Sequence, residues 1–165
     1  MMGSEALDNL YKDVILDHHK DPRNFGPLAG AQVVREGFNP LCGDRVSVSV
    51  KLDPTGSRID GCGFQGQGCS ICLASASIMT EEVSGRTVRE AKEKIREFRD
   101  LMLGKRRPEE FEGDVEALAG VRRFPVRIKC ALLGWTTLND ALELRALGED
   151  AARGTSRTEC PEDVS

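Results

Sequence analysis

No stretch of this 165-residue chain approaches the ~18 consecutive apolar residues that a membrane-spanning helix requires, so a bilayer-embedded reading is set aside. The opening residues, MMGSEALDNLYKD, are polar and acidic and hold no apolar segment of the secretory kind, and the expected location is the cytoplasm. No basic face is concentrated anywhere. The 23 Lys and Arg are interspersed with 27 Asp and Glu for a net charge of −4, which argues against a nucleic-acid surface. The one dense run, Lys105-Arg106-Arg107, precedes Pro108 and reads as a solvated turn. Histidine is scarce, at two residues, and there is no paired C-x₂-C set of the zinc-ribbon type. Internal repeats and separate linkers are also missing. One domain over residues 1–148 is therefore expected, followed by a polar, aperiodic tail, 149–165, expected to be disordered.

What the chain does have is six cysteines. Disulfides are disfavoured in the cytosol, so unusual thiol placement there points to metal or sulfur chemistry. Their positions follow from a coarse reading of the elements. Leu7, Leu10, Tyr11, Val14 and Ile15 recur at helical spacing, giving a first helix that ends at Lys20, before the turn-rich DPRNFGP. His18 and His19 fall in its last turn, where a cation suits the helix dipole, and surface placement is expected for both. AQVVRE is a short strand. RVSVSVKL is a clear one, with Val46, Val48, Val50 and Leu52 on one face, and DPTGS turns it into RIDGCGFQGQ.

From Cys69 onward the pattern becomes helical. CSICLASASIMTEEVSG stops at Gly85, and TVRE (Thr87 to Glu90) is a capping box opening a helix to about Leu103. A short piece, DVEALAG, precedes a long last helix from about Val126. Strands first and helices afterwards give an α+β fold: a small three-stranded antiparallel sheet covered by helices.

Three thiols lie at element ends. Cys42 sits in the turn NPLCGD, Cys69 at a helix start behind Gly66 and Gly68, and Cys130 in the first turns of the last helix. A helix N-terminus favours a thiolate. Asp44, two residues from Cys42, supplies a carboxylate that one turn can present with it. Thiolates with a carboxylate make a tetrahedral zinc set. On spacing alone, buried cysteines of no special chemistry are an equal alternative. Cys72 forms CSIC with Cys69, which would suit a redox pair or a fourth metal ligand, although a small buried residue is the favoured reading. Cys62 reads as core and Cys160 as a free tail thiol.

NPLCGD, GQGCSICLASASIMTEEVSG and FPVRIKCALLGW together resemble the NifU/IscU/SufU-like iron–sulfur cluster assembly proteins, over residues 5 to 147. The resemblance implies a small antiparallel sheet packed with helices, and a metal or cluster site at Cys42, Asp44, Cys69 and Cys130. Scaffolds of the IscU kind carry a His directly before the third cysteine, where this chain has Lys129, and LPPVK where it has RFPVRIK. The Lys129-Cys130 pair, Trp135 and the extra LGKRRPEEFEGDVEALAG segment look like the SufU branch. That likeness implies a zinc-dependent sulfurtransferase accepting persulfide sulfur from a cysteine desulfurase of the SufS kind, for delivery to a SUF scaffold or apo iron–sulfur proteins. Cys42 is then the sulfur acceptor, freed when a His of the desulfurase takes its place on zinc. Arg127, one helical turn before Cys130, supports thiolate charge or orients Asp44, with an exposed cation at a helix start as the nearly equal alternative. The alternatives are a scaffold carrying a [2Fe–2S] cluster on Cys42, Cys69 and Cys130, and a non-catalytic structural zinc domain.

Overall fold

A computed structural model of the chain describes residues 4–146 and 157–159. Helix α1 (Ser4–Lys20) leads into strands β1 (Val33–Asn39), β2 (Asp44–Leu52) and β3 (Ile59–Gln67). Helices α2 (Ser70–Val83) and α3 (Val88–Met102) follow, then the single turn α4 (Asp114–Ala117) between two 3₁₀ segments, and the long α5 (Pro125–Ala146). Among the described residues no helix is long and apolar enough to cross a membrane.

The three expected strands form an antiparallel meander, with β2 in the centre. Period-two alternation sets its register, since Val46, Val48, Val50 and Leu52 are all buried under the helices. Of the tail expected to be disordered, the described residues Arg157–Glu159 form a short strand, β4, parallel to β1 at Glu36, Gly37 and Phe38. The rest of that segment, with Cys160, lies outside the described residues.

Helices α2 and α5 lie against the sheet, α5 across β1 and β2 and α2 against β3, while α1 and α3 pack outside them. Central placement explains the composition of α2: Ala74, Ser75, Ala76, Ser77 and Thr80 are all buried, and small side chains let neighbours approach on every side. Its buried hydroxyls are all paired. Ser75 donates to the Ala131 carbonyl at 2.6 Å and accepts from the Trp135 indole at 3.0 Å, and Trp135 stacks on Phe98 at 4.3 Å. The Thr87 capping box forms as read, with the Glu90 amide on the Thr87 hydroxyl and the Thr87 amide on the Glu90 carboxylate.

His18 departs from expectation. His19 is exposed, but His18 is fully buried, with Nδ1 2.7 Å from the Ser77 hydroxyl and Nε2 2.7 Å from an Asp114 carboxylate oxygen. The dipole argument fixes a position along the helix axis and says nothing about the side it faces. His18 is four residues after Val14, on the face that packs inward. Glu81 completes a His/Glu/Asp group of metal-ligand type. Two donors on one tetrahedral zinc ion stand about 3.3 Å apart, given bonds of 2.0–2.1 Å. A 2.7 Å separation is instead that of a direct hydrogen bond, so the group is a polar clamp joining α1, α2 and the α4 segment.

His18→Ala should lower the unfolding free energy by about 2–4 kcal/mol, through a cavity and the loss of the hydrogen bonds to Ser77 and Asp114. His19→Ala should stay within about 0.5 kcal/mol. Urea denaturation of the two variants checks the contrast.

Candidate metal and thiol site

The turn NPLCGD closes the β1–β2 hairpin. Asn39 and Asp44 are cross-strand partners at its base, and the Gly43 amide donates to the Asn39 carbonyl at 2.8 Å. Gly43 has φ +74°, a left-handed conformation that costs glycine little, and it is the pivot between Cys42 and Asp44. The Asn39 side-chain oxygen accepts the Leu41 amide at 3.1 Å, an Asx turn that shapes the tip. Cys42 is therefore exposed at the apex, and Asp44, two residues on, is buried at the strand start.

Cys69 is the N-cap of α2. Its sulfur accepts the Cys72 amide at 3.4 Å, taking the role that Ser or Asp has at most helix starts. The Asp44 carboxylate approaches the same helix end: Oδ1 accepts the Cys69 amide at 3.1 Å and Oδ2 lies 3.9 Å from the Cys69 sulfur. Gly68 makes room for this, since a Cβ there would lie 2.8 Å from Asp44 Oδ1. Cys130, buried on α5, lies 3.4 Å from the Cys42 sulfur. Donor atoms of Cys42, Asp44 and Cys130 all fall within 4.8 Å of one another. Cys69 lies outside that tight set and joins it through Asp44 and Cys130.

Residues 10–143 match the family of the NifU-like N-terminal domain. This chain belongs to that family. It is 47% identical over 139 residues to the zinc-dependent sulfurtransferase SufU of Bacillus subtilis, covering 84% of this chain and 92% of the relative. It is 40% identical over 146 residues to the iron–sulfur cluster assembly scaffold protein IscU of Streptococcus pyogenes serotype M1, covering 88% and 90%. Among solved structures, an iron–sulfur cluster assembly scaffold protein for the SUF system from Fervidobacterium islandicum AW-1 superposes with a TM-score of 0.74 at 36% identity, over 85% of this chain and 99% of that one.

In this NifU-like chain the site's electrostatics separate the thiols. Cys69 is lowered to about 6, first by the hydrogen bond from Cys130 and then by the Cys72 and Ile71 amides of the helix start, against burial and the charge of Asp44. Cys130 is raised, through its hydrogen bond to Cys69, burial, and the neighbouring Asp44 and Cys42. The first negative charge thus rests on Cys69, and Cys130 stays a thiol that donates to it. Loading all three sulfurs with charge beside Asp44 requires a compensating cation. Soft thiolates plus one carboxylate suit zinc, and a coordinating thiol is deprotonated outright. By these criteria the donor set fits the metal.

Arg127 sits in the first turn of α5. Hydrogen bonding to Cys130 and the charges of Cys69, Cys130 and Cys42 hold its guanidinium above the ordinary arginine value. Cys72 and Cys62 are both buried in the core, and burial pushes Cys62 up to about 12. Two neighbours were not singled out by sequence reasoning. Tyr11 of α1 faces the site closely enough for the Cys69 charge to add to burial in raising its phenol, against an opposing effect of Arg127. Its only sequence signal is helical spacing, which cannot separate it from the core. Asn39 reads in sequence as a turn former only, yet its side chain reaches Cys130.

In metal-free protein, ultraviolet thiolate absorbance should show one thiol ionising with a midpoint near pH 6, the charged form present above it. Cys69→Ser keeps an N-cap and should abolish that step, whereas Cys62→Ser should leave it in place.

Proposed function

We propose that this chain is a zinc-dependent sulfur acceptor, taking sulfane sulfur from the persulfide of a cysteine desulfurase for iron–sulfur cluster assembly. The observation that carries the reading is an asymmetry within the site. Cys42 is exposed on a hairpin tip beside a glycine pivot, and the groups it touches are set into packed elements. Such a thiol is accessible to a partner, and its neighbours are positioned to hold an ion.

Cys42, Asp44, Cys69 and Cys130 would hold the zinc. When bound, the ion supplies positive charge that keeps the thiols deprotonated at neutral pH. The Cys42 thiolate attacks the outer sulfur of the donor persulfide. The donor's S–S bond breaks, its cysteine leaves as a thiolate, and a new S–S bond forms on Cys42 with no net oxidation or reduction. Arg127, beside the sulfurs, stabilises negative charge during this exchange. Leu41 and Val126, 75% and 73% exposed, flank Cys42 and Arg127 in sequence and give the docking partner apolar surface. The partner is assigned to the SufS kind on the strength of Lys129-Cys130, Trp135 and the 103–120 segment, and the location to the cytoplasm on the polar, acidic opening residues. The recipient is a SUF scaffold or an apo iron–sulfur protein.

Cys42→Ala should bring desulfurase turnover down to that of the desulfurase alone while most of the zinc stays bound. Unchanged turnover in a folded, zinc-loaded variant would reduce the site to a structural staple. Metal analysis of protein purified without oxygen addresses the scaffold reading, drawn from the likeness to IscU: a stoichiometric, transferable iron–sulfur chromophore would overturn the zinc assignment.

A further inference from the structure

Asn39 is 1% exposed, at the inner end of β1 and opposite Asp44. A buried primary amide has two ends to satisfy. The oxygen accepts the Leu41 amide at 3.1 Å, in the residue next to Cys42. The nitrogen points at the Cys130 sulfur, 3.9 Å away. One rigid planar group therefore joins the hairpin tip that carries the exposed thiol to the buried thiol 3.4 Å from it. The turn needs only the oxygen, which Asp or Ser would provide equally well. The nitrogen is what a turn former does not need.

We propose that Asn39 is a positioning residue of the site: its side-chain N–H donates to the Cys130 thiolate, while its oxygen holds the Cys42 loop in register with that sulfur. The contact is long for a neutral thiol. A charged sulfur draws a donor closer, because hydrogen bonds to ionised acceptors are shorter and stronger. Donation to a metal-bound thiolate lowers the energy of its lone pairs and offsets part of the mutual repulsion among the donors. It also sets the rotamer in which Cys130 faces the site. Groups that orient metal ligands in this way typically change metal affinity by about 10–100-fold when removed. The inference rests on Cys130 being a metal ligand under the proposed function.

Asn39→Ser and Asn39→Asp both keep an acceptor for the Leu41 amide and both delete the nitrogen donor, so they separate the two ends of the amide. Cobalt(II) serves as the spectroscopic probe in place of zinc, and competition with a chelator measures zinc affinity. In the wild type, thiolate-to-cobalt charge transfer is expected. Both variants should red-shift that band; Asn39→Ser should weaken zinc binding by about tenfold, while the carboxylate of Asn39→Asp adds negative charge that favours a cation and offsets part of the loss. The urea midpoints of the metal-free forms should remain near wild type. An unshifted band with zinc affinity within twofold of wild type in Asn39→Ser would overturn the proposal and leave Asn39 a turn former. Loss of the native urea midpoint in both variants would also overturn it, by showing that the amide acts through the fold. A wild type with no thiolate charge-transfer band would instead sink the metal assignment itself, a failure visible before any variant is made.

Discussion

Repulsion among like charges is the constraint around which this chain is arranged. Four groups that ionise to anions, on Cys42, Asp44, Cys69 and Cys130, converge from a hairpin, a helix start and a second helix. Left in water they would avoid one another. The fold opposes that separation with the whole of its packing: β2 is pinned by its valine face, α2 by burial on nearly every side, and α5 by a long seam against both. The local devices around the site are all sources of positive potential. They are the amides at the start of α2, the Arg127 guanidinium and the Asn39 side-chain N–H. None of them carries the charge of a divalent ion, and that remaining imbalance favours a cation there.

Because these groups come from segments some 90 residues apart, an ion held by them under the proposed function would couple binding to folding. The coupling is uneven. Asp44, Cys69 and Cys130 are attached to elements with extensive packing of their own, whereas Cys42 is attached to a four-residue tip held by two hydrogen bonds to Asn39. Departure of Cys42 would disturb little beyond that tip, while departure of any other donor would disturb a helix or a central strand. The division between holding and reacting groups in the proposed function follows how much structure stands behind each side chain.

How far the sequence could be read varies with the range of the interaction. The alternation of Val46, Val48, Val50 and Leu52, the Thr87–Glu90 box and the NPLCGD turn are local patterns, and each appears in the structure where it was expected. The grouping of Cys42, Asp44 and Cys130 was legible mainly because three extended motifs occur in one chain in a familiar order; spacing alone left it ambiguous. His18 and Asn39 were misjudged or undervalued for one reason. Each has a valid local role, at a helix C-terminus and in a turn, and a second partner far away in sequence, at Asp114 and Cys130. Tyr11 is similar, since helical spacing marks it as inward-facing and gives no hint that Cys69 is nearby. Dual roles of this sort are invisible to any window shorter than the contact they serve.

The His18 clamp bears on how the stretch between α3 and α5 is held. Asp114 belongs to that stretch, which lies between Cys69 and Cys130, and His18 belongs to the first helix. The stretch is thus riveted to the first helix at a polar joint, buried on the His18 side and open to solvent on the Asp114 side. Glu109 and Glu112 are exposed outside that rivet. Substituting them changes the surface the stretch presents and leaves the joint beneath it, and the helices it ties together, in place.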